Sequence, residues 1–497
     1  MKRFILYIFV SQLLLAFICQ EMNAQTPTPG PKTSTNTETK SDSNLKLENL
    51  ILLAHTAPPE VAADVLLTLA MTQPAITKTR KQELIEDAFR VARDAREPVK
   101  LRSWSPIVDT RSGLKSAAFE LELDKLSLQS RAVTQMIALD KARARMMFQD
   151  IVLPPPKVMS CEDSLSDDPG VYFRTALAVS ENCFDDNERK AEAHIQFLSA
   201  RLDNIKSVSQ VPAALKMLTE AKLSPDELSL LTNSLVGTLG RISTDARAFA
   251  FAMTGRDRLA VNMGRLIQQL RQKGLPTTDA SRAFRAFLVK QMTGEVCVDV
   301  PWVDGREVKL PASVTDLNAE FSKPIIEDDV RPASFGPAAK DRMFWSMPRE
   351  KQLLMLAKDL RFGGGEEALT LEERQSDEWR KKMNDYLVRI DSWELESGVS
   401  AEDFFQEKCI LYGVLVDISP DDAQRDSVLR VYASYLREQN AEYKGRIEWI
   451  LPVKYYLQRI RSRSEAEQRT SLDPWLSSSD AALRAYGELA LLGVSKN

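Results

Sequence analysis

Hydrophobic residues recur every three or four positions through most of this chain, a spacing that predicts amphipathic helices. Over residues 59–71, for example, Val61, Val65 and Leu69 lie on one stripe. Signals for strands are few, and the best of them is a small β-hairpin predicted over residues 295–308. The pattern therefore predicts an all-α fold, built as an irregular stack of antiparallel helix pairs with one small hairpin.

Capping residues indicate where several of these helices begin. Ser224 is followed by proline and, three residues on, by Glu227, which together form a capped first turn. Similar starts are predicted at Thr79, Ser419 and Asp473. These local signals support the helical prediction independently of the hydrophobic spacing.

A short motif, Asp-x-x-Arg-Ala-x-x-x-Phe, occurs over residues 140–148 and again over 279–287, with partial versions at 87–90 and 244–248. The distance between copies is not constant, so the motif indicates either a degenerate array of helix pairs or a coincidence in a helical chain. In these small-residue helix pairs, over residues 46–290, the chain resembles the α-solenoid superfamily, that is, the tetratricopeptide-like and HEAT-like arrays. It is also similar to exported bacterial helical proteins in general. The resemblance implies a surface that binds proteins or peptides, and it carries over no catalytic residue.

The first residues have the layout of a secretory signal peptide. Lys2 and Arg3 precede an apolar run over residues 4–19, and the segment Met22-Asn23-Ala24 then ends in a small residue at the expected cut. The run is shorter than the roughly 20 residues of a spanning helix. We expect cleavage near Ala24 and a periplasmic or extracellular protein with no membrane span. An uncleaved anchor and lipid attachment at Cys19 are the alternatives.

The remaining chain divides by composition. Residues 25–45 are rich in Thr, Ser and Pro and contain almost no apolar side chain, so they cannot offset the entropy of ordering and are predicted to be a disordered linker. The predicted units are the signal peptide (1–24), this linker, an N-terminal helical domain (46–294), an irregular connection (295–348) and a C-terminal helical domain (349–497).

Composition excludes several classes of function. The formal net charge is −4 over 497 residues, which gives no electrostatic basis for binding nucleic acid. His55 and His194 are the only histidines, too few for most zinc or histidine-dependent hydrolase sites. Acidic residues over 152–170 invite calcium, but their spacing does not follow a calcium-binding loop. No metal and no cofactor is predicted.

The cysteines suggest disulfides, because an exported protein meets an oxidising environment. Cys161 and Cys183 are close in sequence, and we expect them to pair. Cys297 and Cys409 either form a long-range bridge or remain buried thiols.

One run of aromatic and basic residues is a candidate binding surface: Trp449, Lys454, Tyr455, Tyr456 and Arg459. Such residues bind anionic glycans, peptides or lipid headgroups. The structural interpretation is a helix with a buried aromatic face and a solvated basic face.

Two hypotheses for function follow. The first is an exported, non-enzymatic helical scaffold that recognises a protein or peptide in the cell envelope. The alternative is a carbohydrate-active enzyme on an (α/α) toroid, with acids such as Glu327, Asp328 and Glu366 in pairs. A scaffold predicts an open groove lined by successive helices, whereas an enzyme predicts a deep pocket with two facing carboxylates about 5–10 Å apart.

Overall fold

The computed structural model describes residues 40–73, 76–95, 122–154, 169–245, 248–249, 252–253, 259–297, 303–304, 307–335, 348–365, 367–397, 401–443 and 447–492. The predicted signal peptide, most of the predicted linker, Cys161 and Glu366 lie outside these ranges. Within these ranges, none of the helices combines the length and apolar character needed to cross a membrane.

The described chain is dominated by α-helices, as predicted. In order these are α1 (Lys40–His55), α2 (Pro59–Thr72), α3 (Lys78–Val91), α4 (Lys125–Ile137), α5 (Lys141–Gln149), α6 (Gly170–Asn182), α7 (Asp186–Lys190), α8 (Ala193–Asp203), α9 (Val211–Glu220), α10 (Pro225–Arg241), α11 (Leu259–Gln272), α12 (Thr278–Met292), α13 (Ala312–Leu317), α14 (Pro348–Phe362), α15 (Leu371–Arg374), α16 (Asp377–Asp391), α17 (Ala401–Ile418), α18 (Asp422–Tyr443), α19 (Ile447–Ile460), α20 (Glu465–Leu476) and α21 (Ala481–Leu491).

Four short strands accompany them: β1 (Glu295–Cys297), β2 (Val303–Asp304), β3 (Glu307–Val308) and β4 (Ala333–Phe335). Strands β2 and β3 pair antiparallel, which confirms the hairpin in the second half of the predicted segment. Strand β1 instead pairs parallel with β4. Parallel pairing requires a long crossover connection, and here it contains the hairpin and α13.

Two rows of helices form the middle of the stack. In one row α8, α10 and α12 contact each other in sequence, and in the other α6, α9, α11 and α13 do so. Side chains of α11 donate to backbone carbonyls of the α9 segment at a constant separation of 50 residues: Asn262 to Pro212, Gln269 to Thr219, and Lys273 to Leu223. A constant separation means that α9 and α11 run parallel and in register, with α10 returning between them. This is the stack of antiparallel helix pairs that the sequence predicts.

The row of α8, α10 and α12 is held by bonds of the same kind. Lys290 Nζ donates to the carbonyl of Ile242 at 2.7 Å, and Gln291 Nε2 donates to that of Ser243 at 3.1 Å. Gln291 Oε1 also accepts from the amide of Asp245 at 3.0 Å. Side chains of α12 thus satisfy backbone groups that the end of α10 leaves unpaired.

The recurrent motif does not mark equivalent positions. Asp140 caps α5 by accepting from the amide of Arg143 at 2.9 Å, and Phe148 is buried. Asp279 instead lies inside the first turn of α12, and Asp87 lies in the middle of α3. The same letters serve different local roles, so the interpretation as a coincidence is the one that fits.

Of the four predicted helix starts, three name the wrong cap residue; near Ser419 it is Asp421 that accepts from the amide of Gln424, at 2.9 Å. Ser224 is confirmed as the cap of α10. Helix α3 is capped by Thr77 rather than Thr79, because it is the Thr77 hydroxyl that accepts from the amide at position 80. Asp473 lies inside α20, whose capping box is at Ser464. Leu472 and Trp475 are buried on either side of Pro474, and their packing keeps this segment helical although a proline there favours a helix start.

The C-terminal helices pack against the N-terminal helices of the stack. Helix α21 contacts both α1 and α2. At the end of this contact Gln73 Nε2 donates to the carbonyl of Leu492 at 3.4 Å. The predicted domain boundary over 295–348 is not tested by these contacts and stays a prediction.

Candidate functional site

The predicted aromatic and basic run lies on α19, and two of its three aromatic rings belong to the core. Trp449 and Tyr456 are fully buried. Trp449 Nε1 donates to the carbonyl of Leu436 at 2.9 Å, and the Tyr456 hydroxyl donates to that of Ser471 at 2.7 Å. These hydrogen bonds explain why both polar atoms tolerate burial. Neither ring is open to a ligand in this arrangement.

The basic residues of the same run are held by the fold. Arg459 Nε lies 3.5 Å from a carboxylate oxygen of Asp417, and its Nη1 donates to the carbonyl of Tyr455 at 3.3 Å. Tyr455 is half-buried. Lys454 pairs with Asp64 of α2. Ligand binding by this run stays a prediction, and these contacts account for its residues without one.

Asp64 is the centre of a buried charged joint. Its side chain is only 3% exposed. Arg131 Nη1 of α4 lies 2.7 Å from its Oδ1, and the Lys454 ammonium contacts its Oδ2. Arg131 also donates from Nη2 to Thr68 Oγ1 at 2.8 Å. One carboxylate therefore binds two cations, one from α4 and one from α19.

The electrostatics of this joint favour fixed charges. Burial alone would raise the pKa of Asp64, but the charges and hydrogen bonds of Lys454 and Arg131 outweigh it and bring the pKa well below its usual value. Burial, followed by the charge of Asp64, raises the pKa of Tyr486 well above its usual value, so this phenol stays protonated. Lys454 Nζ lies 4.8 Å from the centre of the Tyr486 ring, within reach of a cation–π contact. The joint stabilises α2, α4, α19 and α21 together.

Sequence reasoning missed this joint, although half of its signal was present. Asp64 interrupts the apolar stripe of α2, and a buried acid requires a cationic partner. Its partner Lys454 is 390 residues away, so no local pattern can identify the pair.

A second feature is an open groove between the parallel helices α9 and α11. We call it the α9–α11 groove; it has a volume of about 320 Å³, and its lining residues are Lys216, Thr219, Glu220, Arg265, Gln268, Gln269 and Gln272. Every one of these side chains is polar. Gln269 is fixed in place, because its Nε2 donates to the carbonyl of Thr219 at 2.7 Å.

The register of the two helices orders the charges along the groove. With a separation of 50 residues, Arg265 lies level with position 215 and therefore beside Lys216. Glu220 lies about one turn further along α9, and Gln272 lies past it on α11. The groove thus runs from a cationic end, through neutral amides, to an acidic end. The only sequence signal for it is the cluster of glutamines within residues 265–272.

The acids proposed for an enzyme occupy a surface turn where they are described. Glu327 and Asp328 belong to a single 3-10 turn, and Asp328 is 85% exposed and lies 3.9 Å from Arg331. No group of three or more potential metal ligands occurs within the described ranges. The enzymatic alternative gains no specific observation here and stays a prediction.

The histidines and the described cysteines occupy structural positions. His194 Nε2 lies 3.1 Å from Glu227, and His55 Nε2 lies 2.9 Å from Asp87. Cys183 and Cys409 are buried, and burial raises the pKa of both thiols. Because Cys161 and the side chain of Cys297 lie outside what the structure describes, the pairing of Cys161 with Cys183 stays a prediction.

Comparison of the chain with known protein families, with curated proteins and with solved structures finds no match in any of the three. Its function must therefore be argued from its own surfaces.

Proposed function

We propose that this chain is an exported, non-enzymatic scaffold that binds an extended peptide segment of a partner in the cell envelope. The observation that carries the proposal is the α9–α11 groove. Its two walls come from successive helix pairs that run parallel and in register. Grooves formed in this way are how helical stacks present binding surfaces.

The chemistry of the groove suits a peptide backbone. An extended peptide exposes both N–H and C=O groups, and a glutamine side chain can donate to one and accept from the other. Gln268 and Gln272 are exposed and lie four residues apart, so they share one face of α11. The bonds from α11 to α9 hold the walls in place, which lowers the entropy lost on binding.

Export is supported by the sequence rather than by the fold. The charged start, the short apolar run and the small residue at Ala24 are typical of a cleaved signal.

The test is selection of binders from a displayed library of random dodecapeptides, using the chain from residue 25 onward. Gln268→Ala combined with Gln272→Ala removes two hydrogen-bonding side chains, each contributing about 1 kcal/mol, so we expect affinity for selected peptides to fall about 10-fold or more. Gln458→Ala, an exposed glutamine on α19, is the matched control and should leave affinity unchanged. Absence of any enriched peptide, or equal affinity in the double variant, would contradict the proposal.

A further inference from the structure

We infer that the α9–α11 groove selects peptides in which an acidic and a basic side chain are two positions apart, with the acid at the Arg265 end. This inference rests on the proposed function and deepens it by naming the charge pattern of the peptide.

The cationic end supplies a place for a carboxylate. Arg265 is exposed, and its Nη1 donates to the side-chain oxygen of Asn262 at 3.2 Å. Within the described part of the chain Arg265 forms no salt bridge, so the remaining guanidinium N–H groups are available to a ligand. A guanidinium can bind a carboxylate through two parallel hydrogen bonds. Lys216 on the opposite wall adds positive potential at the same end.

The acidic end lies at a distance that matches an extended chain. Arg265 is level with position 215 of α9, and Glu220 lies five residues further along that helix. The axial distance between them is therefore roughly 7 Å at about 1.5 Å per residue. Two residues of an extended peptide span roughly 6.6 Å, and residues two apart point to the same side. A peptide with its acid beside Arg265 therefore places the side chain two positions away beside Glu220, where a base pairs best.

The middle of the groove is neutral. Thr219, Gln268 and Gln269 separate the charged ends. Their neutral side chains can form hydrogen bonds with the backbone of the peptide residue between the acid and the base, and they offer no counterion for a third charged side chain. A polyanion such as nucleic acid would place its repeating charge against Glu220, so the observations favour a peptide of mixed charge.

The experiment is a double-mutant cycle between groove and peptide. The probes are a selected acid-x-base dodecapeptide and the same peptide with the acid replaced by its amide, titrated against the wild-type chain, Arg265→Gln and Glu220→Gln. Because a charged hydrogen bond is lost, Arg265→Gln should weaken binding of the acidic peptide about 10-fold or more and leave the amide peptide almost unchanged. Glu220→Gln should weaken binding of both peptides, because both keep the basic residue.

The control is Arg282→Gln, an exposed arginine on α12 that pairs with Asp279 at 3.3 Å outside the groove. It should affect neither peptide. Circular dichroism of every variant confirms that the helices form. The charge pattern is overturned if the library binders are neutral and Arg265→Gln changes the affinity of both peptides equally. The proposed function still stands in that case if the double variant Gln268→Ala and Gln272→Ala weakens binding. If the library yields no binder, both are overturned.

Discussion

At the scale of single residues, the carboxylate of Asp64 has the most demanding surroundings. It is buried and ionised, with Arg131 and Lys454 as its counterions. Lys454→Met keeps the volume of the side chain but leaves the two charges of Asp64 and Arg131 without their third partner. Because Arg131 still compensates the charge of Asp64, we expect the loss of one charged hydrogen bond, about 1.5–3 kcal/mol, in the free energy of unfolding measured with urea.

The matched control is Lys382→Met on α16. Lys382 is 56% exposed and pairs with Glu378 at 3.0 Å. Exposed pairs contribute about 0–1 kcal/mol, so this substitution should change stability little. Similar losses in the two variants would show that the buried joint has no special importance.

The same carboxylate predicts how stability depends on pH. The pKa of Asp64 is lower in the folded chain than its ordinary value of about 3.9. Its stabilisation is therefore complete above the ordinary value and lost as pH falls below about 4. The advantage of the wild-type chain over Asp64→Asn should be constant from pH 6 to 8 and shrink from pH 5 to 3 in urea titrations. An advantage that grows on acidification would contradict the assignment of an ionised Asp64.

Two glycines inside helices should respond in opposite ways to alanine. A Cβ atom at Gly413 of α17 would lie 2.5 Å from Arg459 Nη2, so the guanidinium would have to leave Asp417. We expect a loss of about 1–3 kcal/mol, the usual range for overpacking. Gly237 of α10 has no atom within 4 Å of such a Cβ, and alanine there should gain about 0.5–1 kcal/mol in helix propensity. Thermal unfolding measures both; a gain at Gly413 would contradict the packing.

At the scale of the helices, two N-caps differ in a way that substitution can test. Ser224 of α10 accepts from the amide of Glu227 at 3.3 Å, and Glu227 Oε2 accepts from the amide of Ser224 at 2.7 Å. Thr277 caps α12 without any side-chain bond. Ser224→Ala should therefore cost about 1 kcal/mol and Thr277→Ala close to zero in urea unfolding. Equal losses would show that the capping box contributes nothing beyond helix propensity.

What the sequence could predict at this scale follows from the range of each interaction. The Ser224 cap and the β2–β3 hairpin depend on neighbours within a few residues, and both were predicted. The pairing of Glu295 with Ala333 joins segments 38 residues apart, and no local pattern encodes it. At Asp473 the local signal was clear, but the buried Trp475 keeps that segment within α20.

At the scale of the whole molecule, the missing information concerns register. The α9–α11 groove exists because the two helices are separated by 50 residues, yet their polar wall residues differ in type, so no repeat was visible in the sequence. The contact of α21 with α1 and α2 also brings together the two ends of the described chain. Hydrophobic spacing predicts that helices pack but not which helices are neighbours.

The joint at Asp64 and the bonds across the groove should control separate parts of the molecule. In Lys454→Met, amide hydrogen exchange should rise in α1, α2 and α21, because α19 loses its charged contact with α2 and the Tyr486 ring of α21 loses its contact with the Lys454 ammonium. Exchange in α11 and α12 should stay unchanged, since their bonds to α9 and α10 remain.

Gln269→Ala is the complementary variant. It removes the donor to Thr219 and should raise exchange in α9 and α11 while leaving α21 protected. Mass spectrometry of exchanged peptides resolves these helices. If amide exchange rises equally along the whole chain in either variant, the molecule unfolds as one cooperative unit. If α21 keeps its protection in Lys454→Met, the charged joint does not hold α21 against the N-terminal helices. Exchange in α21 and exchange in α11 are thus expected to respond to different substitutions. This difference tests whether the packing of α21 and the α9–α11 groove are stabilised independently.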